Sequence, residues 1–140
     1  MFSRLVLVGL VLIQSACSLF STHNFKRQGE RITRDLVLRL ELVNDREDLF
    51  QALPHLKQLF DELAVLIIKA KKAEEAKNAK SFSAFRIDPL WSRRLREEFE
   101  RIYQLDGGRD LMEVAQTNAL EKLNTFEKEL KGRRMTAWNR

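Results

Sequence analysis

Glu97, Glu98 and Glu100 stand among Arg93, Arg94, Arg96 and Arg101. Neighbouring carboxylates do acid–base work when a cleft strips water from them. Here they alternate with arginines along an amphipathic stretch, a pattern that reads as a solvated charged face. The two histidines, His23 and His55, lie far apart, without a carboxylate at a ligand spacing, and read as surface or capping residues. No serine sits in a Gly-x-Ser-x-Gly elbow. Gly107-Gly108-Arg109 precedes a helical stretch, and helix N-termini attract phosphate. It lacks the glycine spacing and the Lys-Ser/Thr of a phosphate loop, so it reads as an interhelical turn. These residues point to a non-enzymatic protein, with no cofactor, no metal and no small-molecule substrate.

Two other regions carry binding chemistry. Lys69 to Lys80 is a run of lysine, alanine and glutamate with almost no apolar surface to bury, and Phe82 and Phe85 follow it. Lys71, Lys72, Lys77, Phe82 and Phe85 form the candidate surface for a protein partner. At the other region, Lys131, Arg133, Arg134 and Arg140 gather near Trp138 without an acid among them. Arg133, Arg134 and Trp138 are the candidate membrane-surface contact, where each basic charge contributes about 1 kcal/mol on anionic lipid. The same charges suit nucleic acid electrostatically, which is the alternative reading: a basic cytoplasmic helical protein. The formal net charge of +5 is compatible with both.

Helices must position these groups. Leu, Ala, Glu, Lys and Arg dominate, and glycine and proline are few. Ile32, Leu36, Leu40 and Val43, with Val37, recur at helical spacing and predict a first helix over about Arg31 to Val43. Leu38 and Leu42 fall outside that stripe. Asn44 with Glu47 three residues on fits a capping box that opens a second helix, with Leu49, Phe50 and Leu53 inward. Pro54 marks a new helix start or a kink. Beyond it Leu56, Leu59, Phe60, Leu63, Leu66, Ile67 and Ala70 form the widest apolar face. Asp88-Pro89 starts another helix, aspartate as N-cap and proline at the first position. Its inner face is Leu90 or Trp91, then Leu95, Phe99, Ile102 and Tyr103. Asp106-Gly107-Gly108 closes it, and Asp110 with Glu113 restarts the chain. Met112, Ala115, Ala119, Leu123, Phe126 and Leu130 face inward on the last helix, and Gly132 is expected to stop it. The expected fold is all-α: an antiparallel bundle of about four helices, the last two a hairpin.

The N-terminus addresses the chain. Arg4 precedes an apolar run from Leu5 to Ile13, and Gln14-Ser15-Ala16 ends it in polar and small residues. Charged start, short apolar segment and small-residue exit describe a secretory signal peptide. The run is shorter than the ~20 apolar residues a membrane span requires. Cys17, the only cysteine, follows directly. Ser15-Ala16-Cys17-Ser18 resembles the lipobox of bacterial lipoproteins, with Gln14 standing where that family has an aliphatic residue. The resemblance implies that residues 1–16 are removed and that Cys17 becomes the lipidated first residue. Two or three fatty chains, at about 0.8 kcal/mol per buried methylene, would make release negligible. Ser18 resembles an outer-membrane rather than inner-membrane address. Two rival readings of the junction stay open: ordinary cleavage after Cys17, freeing a soluble chain, and an uncleaved apolar anchor. On the lipoprotein reading, residues 17–30 are a tether, 31–132 the bundle and 133–140 a basic tail. The expected function is then a lipid-anchored cell-envelope protein that binds another envelope protein, away from nucleic acid.

Overall fold

A computed structural model describes residues 24–76 and 88–138. Four helices account for nearly all of them: α1 over 24–41, α2 Arg46–Ala76, α3 Pro89–Tyr103 and α4 Gly108–Trp138. The chain is an all-α bundle with no strand among the described residues.

The apolar stripe of α1 faces inward as its spacing requires. Ile32, Leu36, Val37, Leu40 and Val43 are buried, whereas Leu38 and Leu42 lie outside the stripe at 47% and 67% exposure. The helix begins earlier than the stripe alone predicts. Residues 24–30, read from sequence as part of a tether, are helical; Gly29 is buried and Phe25 packs against the core. Burial of this extra turn outweighs the helix penalty of glycine, about 1 kcal/mol.

The α1–α2 turn is capped one residue later than the Asn44–Glu47 pattern predicts. Asp45 is the N-cap: its Oδ1 accepts from the Asp48 backbone N–H at 2.9 Å, and Asp48 Oδ2 accepts from the Asn44 N–H at 3.0 Å. α2 then runs uninterrupted through Pro54. Pro54 is solvent-exposed, so the carbonyl it deprives of a donor four residues back lies on the wet side. Leu49, Leu53, Leu56, Leu59, Phe60, Ala64 and Leu66 are buried along α2, but Phe50, expected inside, is 60% exposed.

Asp88 caps α3 as expected: its Oδ1 accepts from the Leu90 N–H at 2.8 Å, with Pro89 at the first helical position. Ile102 is fully buried, and Leu95 and Phe99 pack against the core; Leu90 points outward and Trp91 is half-buried. The α3–α4 turn closes on Gly107, whose φ of 65° is the left-handed conformation a side chain resists. Gly108, not Asp110, opens α4, and Asp110 sits in its first turn. Met112, Ala115, Ala119 and Phe126 are its buried residues. Gly132 does not stop the helix: α4 continues to Trp138, with the Thr136 hydroxyl donating back to the Gly132 carbonyl at 3.3 Å.

Contacts fix the directions. Arg31 of α1 meets Glu62 of α2 across an antiparallel pair. Arg46, at the start of α2, meets Asp106 just before α4, and Asp61 further along α2 meets Lys122 further along α4. α2 and α4 therefore run parallel, side by side. α1 and α3 also run parallel: Arg101 near the end of α3 reaches the end of α1. Successive helices are antiparallel, and both turns, 42–45 and 104–107, lie at one end, called here the turn end.

Candidate interaction surfaces

The arginine–glutamate run of α3 is not simply a solvated face. Arg101 Nη1 donates to the Val43 carbonyl and Nη2 to the Leu40 carbonyl, both at 2.7 Å. Its Nε and Nη2 also donate to Glu98 Oε2, at 3.0 and 2.7 Å. The Leu40 carbonyl also accepts from the Val43 N–H at 3.0 Å, the last carbonyls of a helix lack the usual donor four residues on, and a cation there also meets the negative end of the helix dipole. Arg94 completes the seam with an ion pair to Glu41 and a stacking contact over the Trp91 ring at 5.1 Å. These side chains hold α3 to α1. Sequence spacing gave no sign of this, because one arginine in a charged run looks like its neighbours.

Gly107 closes the turn and Gly108 opens α4, as an interhelical turn requires. A Cβ at Gly108 would fall 2.0 Å from the Ile102 carbonyl oxygen, so the residue is glycine because backbone passes against backbone. Arg109 lies over the Tyr103 ring at 5.3 Å. Among the described residues no group of three or more His, Cys, Asp or Glu side chains could hold a metal ion. His55 is exposed and lines a shallow groove between α1 and α2 with Asp35, Leu38, Arg39 and Leu42.

The expected partner surface is seen only in part. Lys71 is half-buried on α2, and Lys72 is exposed with its ammonium 5.6 Å from the centre of the Phe126 ring. Lys77, Phe82 and Phe85 lie outside the described residues, as do Cys17 and the segment before it. Arg133 and Arg134 are exposed on α4, whose last residue is Trp138.

Large apolar side chains are also exposed elsewhere: Leu38 on α1, Leu42 in the 42–45 turn and Phe50 on α2 lie towards the turn end, and Leu90, Val114, Leu120 and Met135 are spread over α3 and α4. Leu38 and Leu42 are visible in the sequence as the leucines left off the α1 stripe, but nothing in it distinguishes an exposed Phe50 from a buried one.

The opposite end is where the chain enters α1. Residue 31 is level with 62, and 61 with 122, so residue 24 is level with about residue 69 of α2 and residue 130 of α4. α4 runs on for eight more residues, about 12 Å at 1.5 Å per residue. No helix among the described residues is long and apolar enough to cross a membrane. No family model, curated protein or solved structure matches the chain.

Proposed function

We propose that this is a lipid-anchored helical protein of the cell envelope that acts by binding another protein rather than by catalysis. The observation that carries the reading is the position of Cys17, the sole cysteine, directly behind a signal-like segment and seven residues before the described start of α1. α1 starts at the end of the bundle remote from both turns. A lipid on Cys17 would therefore hold the turn end, with Leu38, Leu42 and Phe50, away from the bilayer. Exposed apolar side chains such as Leu38 and Leu42, which line one groove, suit a protein partner, and tethering raises the effective concentration so that a small contact suffices. The sequence of the Cys17 junction favours the outer membrane.

Intact-mass measurement of the membrane-purified chain tests the anchor. The expected species begins at Cys17 and carries two or three fatty acyl chains. Cys17→Ser should incorporate no fatty acid and leave the membrane fraction. A mature chain with a bare thiol, or a Cys17→Ser variant that stays membrane-bound without fatty acid, overturns the reading.

A further inference from the structure

Lys69 and Lys71 of α2 and Lys128, Lys131, Arg133 and Arg134 of α4 all lie towards the end of the bundle at which α1 begins. Among the described residues none of the six has an ion-pair partner. Glu74, Glu75, Glu127 and Glu129 are interspersed with them, but α4 carries no acid after Glu129. The turn end has the opposite character: Glu41, Asp45, Glu47, Asp48, Glu98, Asp106 and Asp110 outnumber Arg46, Arg101 and Arg109 there. The molecule is thus electrically polar along its long axis.

We infer that this end is a docking surface for an anionic lipid bilayer, and that it sets the bundle upright with the turn end outward. Geometry and charge agree on the occupant. α4 extends about 12 Å past the level of residue 24, the first described residue of α1, while the seven residues from Cys17 to residue 24 reach at most about 25 Å when extended. The overhanging basic turns and a lipid on Cys17 can therefore meet one bilayer at once. A negative membrane surface attracts charges only within about a Debye length, near 8–10 Å, so the end nearest the lipid is the one place where basic residues act on it. The orientation rests on the proposed anchor at Cys17; the affinity for anionic lipid does not.

The test is partitioning of the full chain carrying Cys17→Ser, so that no lipid anchor masks the contribution of charge, onto vesicles of phosphatidylcholine alone and of phosphatidylcholine with phosphatidylglycerol. This chain should prefer the anionic vesicles at least about tenfold, less at high salt, since each charge near the surface contributes several-fold. Replacing Lys128, Lys131, Arg133 and Arg134 together by glutamine should abolish the preference. All four side chains are exposed, and the melting temperature should hold. Replacing Arg46 and Arg109 by glutamine at the turn end should leave the preference intact. Equal partitioning onto both vesicles, a preference that survives the fourfold substitution, or salt-sensitive binding to duplex DNA stronger than to anionic vesicles would overturn the inference. Failure of the anchor reads out separately, in the intact mass of the native chain, and leaves the anionic preference of the Cys17→Ser chain untouched.

Discussion

Arg101 holds the Val43 carbonyl at 2.7 Å across 58 residues of sequence, and through that bond the third helix caps the end of the first. The same guanidinium reaches the Leu40 carbonyl and is braced from behind by Glu98. Lysine has three donors on a single nitrogen and lacks the planar fork, so it cannot make the four bonds that the guanidinium makes to two carbonyls and a carboxylate.

Arg101→Ala should therefore destabilise the bundle by about 2 kcal/mol, the usual loss for a charged donor bonded to backbone. Arg101→Lys should recover less than half of that. Urea unfolding followed by circular dichroism measures both. Equal stability of Arg101→Ala and the native chain would show the contact to be idle.

The N-cap of α2 gives a sharper comparison. Asp45→Ala should cost about 1 kcal/mol, because the Asp48 N–H loses its acceptor. Asn44→Ala should cost less: the Asn44 backbone N–H, which bonds Asp48, survives the substitution, and only side-chain bonds at 3.2 and 3.3 Å are lost. The reverse order in denaturant midpoints would restore Asn44 as the cap.

Thr33 is 1% exposed on α1, and its hydroxyl has no hydrogen-bond partner among the described residues. A buried hydroxyl without a partner costs about 1–3 kcal/mol in desolvation. Thr33→Val keeps the shape and removes the polar atom, so it should raise the stability by about 1 kcal/mol. A fall in melting temperature would mean that the hydroxyl has found a partner in solution.

Much of this fold was legible wherever one residue type has one good place to go. Asp88-Pro89 is a helix start for reasons internal to those two residues, and Gly107 is the turn position for its φ. The inward stripe of α1 followed from spacing, and so did the outward Leu38 and Leu42. The rest depended on the neighbours. Asn44 and Asp45 are both good caps, and each has an acid three residues on, Glu47 and Asp48; local chemistry cannot choose between the two registers. The parallel pairing of α1 with α3 is set by Arg101 and Arg94, whose partners Val43, Leu40 and Glu41 are distant in sequence. The candidate surfaces were half legible. The basic stretch after Gly132 stands out in the sequence, but its shared end with Lys69, Lys71 and the start of α1 appears only once the helix directions are known.

Three glycines that look alike in sequence should respond differently to alanine, and the order tests the turn and the tail together. Gly108→Ala would place a Cβ 2.0 Å from the Ile102 carbonyl oxygen, and backbone cannot step aside as a side-chain tip can. A loss of about 3 kcal/mol or more is expected, in the range of strained or overpacked sites. At Gly107 the nearest atom is Arg46 Nε at 3.3 Å, the end of a flexible side chain, so the cost is the left-handed backbone itself, about 1–2 kcal/mol. Gly107→Asn should recover part of it, because asparagine tolerates that conformation. Gly132 has nothing within 4 Å of a new Cβ and lies inside a continuous helix. Gly132→Ala should accordingly increase the helical order of the basic tail, by up to about 1 kcal/mol of local propensity. Hydrogen exchange at residues 129–137 reads that gain directly, and slower exchange there with an unchanged global midpoint is the expected result. Faster exchange would mean that α4 uses Gly132 as a break after all.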